Sequence, residues 1–321
     1  MCFPRCSVTN KEVSPTAPNA FRDLATGNFD TGLRRLSVDP RWRDSSSTLD
    51  GLFDLRIPGA AGWGEGLLLA SLLKRHAVHL QRPAEVLVVP QVLSILESDA
   101  AFRVTPLQSS GSDRPSNARS PLAILAAALT GTLLERPFVP VAAGIPNSPS
   151  ESERPRIGLA WESVVNNKPI EEKSVPCDQL LTVLDGLDAD VISFQRRLRP
   201  VDGDHIRTRF GARSAFILDT VLDGVDQMPV VKEIGSLDCM VTISTTTAHI
   251  AACLGVPVVL VAAQRPGQQW FWRAQADHGR CFYPAVRLVL GEVGGREPWW
   301  KNCLGPAREA VIAILGGRER P

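Results

Sequence analysis

Short apolar runs alternate with helical patterns along two stretches of the chain. In the first stretch, apolar runs predict strands at 53–57, 85–89 and 102–105, with helices at 67–80 and 92–99. The second predicts strands at 156–161, 190–194 and 215–218, helices at 178–187, 228–234 and 306–315, and a strand, turn, helix and strand within 241–261. Alternation of this kind is typical of parallel sheets covered by helices, so the fold class is α/β.

Two polar segments interrupt the alternation. Residues 108–120 predict a loop, which is followed by an apolar helix at 121–134. Residues 145–155 are rich in Pro, Asn, Ser and Glu and cannot form a core, so we place a domain boundary there. The predicted organisation is an N-terminal extension (1–50) with a short helical pattern at 21–36, two Rossmann-like domains (51–150, including the linker, and 151–303), and a C-terminal helix and tail (304–321).

The segment 241–261 is the most informative part of the sequence. Its polar turn, which runs from Ser244 to His249 and includes Thr245, Thr246 and Thr247, lies where an apolar strand ends and a helix begins. Hydroxyls and free backbone N–H groups converge at such a point, which suits a phosphate. His249 shares a helix face with Thr245 and can reach a phosphoryl or sugar oxygen. The alternative is a core histidine, with the serine and threonines acting as helix caps.

A glycine-rich loop, Gly62-Trp-Gly-Glu-Gly66, follows the first predicted strand. Gly62 and Gly64 permit a tight turn and the close approach of a ligand to the backbone. Glu65 is the only carboxylate in this loop, and it lies at the start of the next helix. The alternative for Glu65 is an ordinary first-turn acid that interacts with the helix dipole.

A second charged loop, 161–176, follows the first strand of the second domain. Its two lysines, Lys168 and Lys173, are of the type that holds a diphosphate as a point charge. The alternative is a solvated lysine paired with Glu171 or Glu172.

The composition narrows the functional classes. The chain has 321 residues, 44% hydrophobic and 21% charged, with a net charge of +1. These values indicate a soluble two-domain protein and argue against a nucleic-acid partner. The seven cysteines form no CxxC pair, which indicates free thiols in a reducing cytosol and no metal site. No segment predicts a secretory signal or a membrane span.

Several of these segments together resemble the heptosyltransferase-like glycosyltransferases that use ADP-heptose to build lipopolysaccharide, especially the subgroup fused to tetratricopeptide repeats. The resemblance is carried by Ile243-Ser-Thr-Thr-Thr-Ala-His-Ile-Ala-Ala-Cys-Leu-Gly-Val-Pro257, by Gly62-Trp-Gly-Glu-Gly-Leu-Leu-Leu-Ala-Ser71, by Arg156-Ile-Gly-Leu-Ala-Trp161 and by Lys173-Ser-Val-Pro176. It covers roughly residues 40–315 and is denser in the second half. The helical pattern in the N-terminal extension is similar to the last helical repeat of that subgroup.

The resemblance implies a GT-B architecture, in which two Rossmann-like domains face each other across a cleft, and metal-independent transfer of a sugar with inversion. It places Glu65 at the catalytic base, where aspartate is usual. Lys173 and the turn from Ser244 to His249 are placed at the donor diphosphate. Thr245 stands where asparagine is common, and Gln195 stands near the position expected of a ribose-binding acid.

We therefore expect a cytoplasmic, bacterial-type glycosyltransferase that needs no cofactor and takes a nucleotide-diphosphate sugar as donor. The acceptor is a small molecule, a glycolipid or a protein, and peripheral membrane association stays open. One alternative is a catalytically silent relative that binds a nucleotide sugar or a protein partner. Another is a nucleotide-sugar epimerase, for which Asp202 and Asp204 are the nearby acids.

Overall fold

The computed structural model describes residues 16–39, 49–56, 63–107, 117–131, 133–142, 154–165, 168–169, 171–264, 270–294 and 297–317, without the side chains of 16–18, 164–165, 168–169 and 171. Gly62, the side chain of Lys168, most of the loop 108–120 and most of the linker 145–155 therefore lie outside the description.

The helices in the described ranges are α1 (Thr16–Ala25), α2 (Phe29–Ser37), α3 (Gly64–Leu80), α4 (Pro90–Glu97), α5 (Leu122–Leu129), α6 (Cys177–Leu180), α7 (Pro200–Phe210), α8 (Asp219–Leu222), α9 (Met228–Gly235), α10 (Thr246–Leu254), α11 (Trp270–His278) and α12 (Leu304–Gly316). Short 3-10 helices lie at Leu133–Glu135, Glu171–Lys173, Leu181–Leu184, Gly211–Arg213 and Lys301–Cys303. None of the described helices is long and apolar enough to cross a bilayer.

The strands are β1 (Leu52–Asp54), β2 (Ala84–Val88), β3 (Phe102–Pro106), β4 (Arg156–Ala160), β5 (Val164–Val165), β6 (Lys168–Pro169), β7 (Asp190–Ser193), β8 (Ser214–Phe216), β9 (Cys239–Thr242), β10 (Val258–Gln264) and β11 (Val286–Glu292). The first sheet is parallel, in the order β1-β2-β3. Strands β5 and β6 form a small antiparallel ribbon beside the second sheet's first strand.

The second sheet is parallel throughout and runs in the order β11-β10-β9-β4-β7-β8. Within this sheet, the first strand in the sequence is the central strand β4, and the next two, β7 and β8, lie on one side of it. The later strands β9, β10 and β11 form the other half of the sheet. The strand order thus reverses between β4 and β9. Ligands of open parallel sheets bind at such a switch point, beyond the carboxyl ends of the strands.

Both faces of the second sheet are buried, as expected for parallel strands. Val258 and Leu260 face the large core that continues into the first domain. Val259 and Val261, the alternate residues of the same strand, face a separate core beneath α7 and α12. This double burial explains why the strands appear in the sequence as nearly continuous apolar runs.

Helix α3 of the first domain packs against helix α10 of the second domain, and this contact connects the two domains. Arg75 of α3 also reaches the second domain, where its guanidinium donates to the carbonyls of Cys281 (3.1 Å) and Phe282 (2.7 Å). The N-terminal pair of helices contacts both sides of this junction, because α1 packs on α11 and α2 packs on α5.

The predicted elements and the observed ones agree in most places, and the main differences concern helices. The single helical pattern at 21–36 is two helices, α1 and α2, because Gly27 between them adopts a left-handed φ of 82°. Helices α7 and α11 were not indicated by the sequence pattern. Helix α7 exposes most of its side chains, and α11 carries an aromatic cluster rather than an amphipathic stripe.

A buried ion pair fixes the segment that leaves the first domain. The Lys74 ammonium donates to Asp99 Oδ2 (2.6 Å) and to the carbonyl of Pro140. The same carboxylate accepts from the amides of Ala142 (2.7 Å) and Ala101 (3.0 Å). Lys74 and Asp99 are only 3% and 7% exposed, so both charges depend on these contacts for their stabilisation.

We expect Lys74→Met to lower the free energy of unfolding by about 3–5 kcal/mol, because the Asp99 carboxylate stays buried without its cation. Urea denaturation followed by circular dichroism measures the change. Arg103→Met is the matched control, since Arg103 pairs with Glu85 at 3.8 Å on the exposed surface and its loss is expected to change stability little. Equal losses in the two variants would contradict the prediction.

Candidate functional site

A cavity of about 160 Å³ lies at the switch point of the second sheet. Its walls come from the carboxyl ends of β4 and β7, from the start of α10, and from α9. The lining residues are Trp63, Ala160, Glu162, Ser163, Phe194, Gln195, Arg196, Leu222, Gln227, Val230, Thr245, Thr246, Thr247 and Ile250. The cavity therefore lies where the topology places a ligand of this fold class.

The start of α10 presents free backbone N–H groups at this cavity. Thr245 is the N-cap residue, and its hydroxyl accepts a hydrogen bond from the Ala248 amide (3.3 Å). The same hydroxyl lies 2.8 Å from that of Thr247. Ser244 is held from behind, because its Oγ accepts from the indole of Trp272 (3.0 Å). The turn is thus rigid, with Thr246 and Thr247 half-buried at the cavity wall.

His249 does not line the cavity. Its ring is 3% exposed and packs among Phe271, Trp272 and Tyr283, with ring centroids 5.3 to 5.9 Å away. Nδ1 is hydrogen-bonded to the Tyr283 hydroxyl (3.2 Å). Burial lowers the pKa of His249 to about 3, so the imidazole is neutral. This placement favours the core-histidine alternative over direct contact with a phosphate.

The other edge of the His249 ring faces the first domain. A Cβ on Gly64 would lie 2.6 Å from Cδ2 of this ring, so only glycine permits the observed contact. Gly64 is the first residue of α3, and the contact therefore presses the glycine-rich loop onto the start of α10. The thiol of Cys253 adds a second link, since it lies 3.3 Å from the carbonyl of Leu67.

This packing places Glu65, the second residue of α3, near Lys173, although neither of the two lines the cavity. Burial raises the pKa of the Glu65 carboxyl, while a hydrogen bond from its own amide and the positive charge of Lys173 partly oppose the shift. The carboxylate also lies near enough to Tyr283 to affect that hydroxyl. Lys173 is half-buried and makes no hydrogen bond or ion pair of 4 Å or less with any described residue.

Glu162 is a further carboxylate at the cavity, and the sequence reasoning did not select it. Its side chain is 12% exposed and lies 3.7 Å from the guanidinium of Arg199. Burial raises the pKa of its carboxyl, and Arg199 partly opposes this shift. The available signal was its position directly after the apolar run of β4, because strand-end side chains converge at the switch point.

Gln195 stands where an acid was expected after β7, and its amide supports the Glu162 loop instead. Its Oε1 accepts from the amides of Trp161 (3.0 Å) and Glu162 (2.8 Å), and its Nε2 donates to the carbonyls of Glu162 (3.1 Å) and Arg196 (2.8 Å). Both ends of the amide are thus used within the protein. The carboxylate that faces the cavity comes from the neighbouring strand.

The structure brings the predicted site residues to the junction of the two domains, but only some of them to the cavity. Glu65 and Gly64 lie at the start of α3 and Lys173 lies near Glu65, and none of these three lines the cavity. Thr245, Thr246 and Thr247 line the cavity, Ser244 and His249 support the turn from behind, and Gly62 lies outside the described residues.

We expect Gly64→Ala to lower the free energy of unfolding by about 1–3 kcal/mol, because the added methyl group meets a ring that is fixed on its other sides. Thermal and urea denaturation measure the loss. Gly305→Ala in α12 is the control, since nothing lies within 4 Å of a Cβ at that position. A Gly64→Ala protein as stable as the control would show that the two domains do not meet at this contact.

We also expect His249 to make stability depend on pH. The folded state keeps it neutral down to a pKa of about 3, whereas the unfolded chain protonates near pH 6.5. Its contribution is therefore present above pH 6.5 and is lost as the pH falls towards 3, by about 1.4 kcal/mol per pH unit.

Urea denaturation between pH 7 and 5 measures this slope, which should be shallower in His249→Phe. His205→Phe is the control, since His205 is exposed on α7. An unchanged slope in His249→Phe would indicate that this imidazole is protonated in the folded state.

Comparisons with known proteins bear on the fold. No family model and no curated protein sequence matches the chain. Solved structures do match. The E. coli heptosyltransferase WaaC with ADP aligns with a TM-score of 0.54 and 11% identity, over 82% of this chain and 99% of that one. A glycosyl transferase family 9 protein from Veillonella parvula aligns with a TM-score of 0.53 and 10% identity, over 85% and 100% of the chains.

A third match, the E. coli ADP-heptose lps heptosyltransferase II, has a TM-score of 0.50 and 15% identity over 84% of this chain and 99% of that one. Identities this low bear on architecture alone. The structural matches confirm the expected resemblance at the level of the fold: this chain has the GT-B fold of the heptosyltransferase-like glycosyltransferases.

Proposed function

We propose that this protein is a glycosyltransferase that moves a sugar from a nucleotide-diphosphate sugar to an acceptor hydroxyl, with inversion and without a metal ion. The observation that carries the proposal is the proximity of three groups where α3 packs on α10: a half-buried carboxylate (Glu65), a lysine with no ion-pair partner among the described residues (Lys173), and the amide-rich start of α10. Sugar transfer requires a carboxylate that takes the proton of the acceptor and an anion site that holds the diphosphate, and here the two lie on different domains.

The start of α10 suits the diphosphate. Its first residues, Thr246 and Thr247, line the cavity. The first amides of a helix are free to donate, and the helix dipole favours negative charge there. Lys173 adds a full positive charge. As the bond from the anomeric carbon to the diphosphate oxygen breaks, the electron pair stays on the diphosphate, and these groups stabilise it. Fixed amides and a lysine thus supply the charge that a metal ion provides in other transferases.

Glu65 is the general base of the proposal. It takes the proton of the acceptor hydroxyl as that oxygen forms a bond to the anomeric carbon. The carboxylate lies on the first domain, whereas the diphosphate site lies on the second, so the acceptor attacks from the face opposite the leaving group. Attack from that face inverts the anomeric configuration. The raised pKa of Glu65 brings its basicity closer to what proton abstraction needs.

The alternatives receive less support. An epimerase needs acids at the cavity, but Asp202 is bound to Arg199 and to the indole of Trp161, and Asp204 pairs with Arg207 on the surface. Neither of these two acids lines the cavity, where Glu162 is the one carboxylate among the described lining residues. A silent binding protein has no requirement for a buried carboxylate whose pKa is influenced by a lysine, as the pKa of Glu65 is by Lys173.

The donor site is tested by binding. We expect one of ADP, GDP and UDP to raise the melting temperature, with the largest shift identifying the base, because ligand that binds only the folded state stabilises it. Lys173→Met should reduce the shift, since it removes a cation from the diphosphate site. Absence of a shift with all three nucleotides would overturn the donor site.

The base is tested by turnover. We expect Glu65→Gln to keep nucleotide binding and to lower kcat about 10²–10⁴-fold, which is the usual contribution of a general base. Release of the selected nucleotide from its sugar conjugates measures the rate, with Glu309→Gln on the exposed face of α12 as control. Wild-type kcat should rise with pH through the raised pKa of Glu65. Turnover that survives Glu65→Gln would assign the base to another residue.

A further inference from the structure

Trp63 differs from the other residues that line the cavity. Of the described lining residues, it alone comes from the first domain, and the rest belong to the second. It immediately precedes Gly64, which is pressed onto His249, so its position over the start of α10 is fixed by the same contact. Trp63 thus shares the cavity wall with Thr245, Thr246 and Thr247.

The polar group and the ring of Trp63 also have few interactions within the described part of the protein. The indole is half-buried against the large core, yet it makes no ring contact and no hydrogen bond with any described residue. Other tryptophans are held: Trp272 donates to Ser244 (3.0 Å), and Trp270 stacks against Phe21 with centroids 6.5 Å apart. A large aromatic side chain with a free N–H group at a cavity wall has both an apolar face and a donor to offer a ligand.

The position of Trp63 determines which part of a ligand it meets. This step rests on the proposed function, in which the reacting carbon lies between Glu65 and the diphosphate at α10. Trp63 is two residues from Glu65 and lines the same cavity as Thr246 and Thr247. Glu65 and Lys173 do not line this cavity, so Trp63 is the first-domain side chain, among the described residues, that a sugar attached to a diphosphate at α10 meets there.

We propose that Trp63 binds the transferred sugar. The indole face packs against the C–H face of a pyranose ring, and Nε1–H donates to one of its hydroxyls. The substrate class is therefore a pyranose whose C–H bonds gather on one face, as they do in glucose-like and mannose-like rings. Trp63 is a binding residue that selects for the sugar, and the nucleotide is held by the second domain.

The test compares each nucleoside diphosphate with a sugar conjugate of it: ADP with ADP-glucose, UDP with UDP-glucose, and GDP with GDP-mannose. Isothermal titration calorimetry on the full chain gives both dissociation constants for the wild type, Trp63→Leu and Trp63→Phe. For the nucleotide that binds, Trp63→Leu should weaken the sugar conjugate about 3–10-fold and the bare diphosphate less than about 2-fold. Trp63→Phe should retain most of the sugar affinity, because a ring remains.

Trp300→Leu is the control. Trp300 is also half-buried, but it packs on the separate core and does not line the cavity, so neither affinity should change. Equal weakening of diphosphate and conjugate in Trp63→Leu, or no weakening of either, would overturn the role of Trp63 and leave the proposed function intact. A wild-type protein that binds none of the six ligands would overturn the proposed function and the role of Trp63 with it.

Discussion

The contact between Gly64 and the ring of His249 is the constraint on which the cleft depends. It joins the first residue of α3 to the first turn of α10, and those two helix starts carry the two halves of the site. A side chain on residue 64 would push the halves apart, and a smaller residue than histidine would leave a gap at the junction. The aromatic neighbours and the Tyr283 hydroxyl hold the ring, so the junction is rigid from both sides.

Polar groups around the cleft divide into two kinds. Some are fully used within the protein: Thr245 caps α10, Ser244 is held by Trp272, and Gln195 bonds the loop after β4 with both ends of its amide. Others, such as Lys173 and the indole of Trp63, have no described partner. The first kind builds a fixed frame, and the second kind is what the frame presents to a ligand. Preorganisation of this sort reduces the cost of binding.

The sequence predicts the strands and the turn at 244–249 well, because parallel strands buried on both faces appear as continuous apolar runs bounded by polar turns. It predicts α7 poorly, since that helix has few core residues, among them Ile206 and Phe210. The predicted bounds of a helix also differ from the observed ones where a glycine such as Gly27 takes a left-handed conformation.

The candidate site is predictable only in part. Glu65 and Lys173 could be selected because each follows a predicted strand, and strand ends converge. The orientation of His249 could not, since it depends on Tyr283, which is 34 residues further along the chain. Glu162 was missed because the acid was sought after β7, and the convergence of β4 and β7 becomes clear only from the strand order.

The neutrality of the buried His249 has a consequence for how the anion site proposed at the start of α10 responds to pH. A histidine at a helix start often changes charge between pH 5 and 8, and an anion bound beside it would then take up or release a proton as it comes and goes. Here the imidazole stays uncharged throughout that range, and the backbone amides beside it cannot titrate. Arrival and departure of an anion at the site proposed on α10 are therefore uncoupled from proton exchange at His249, and acidification within that range leaves the charge of this residue unchanged.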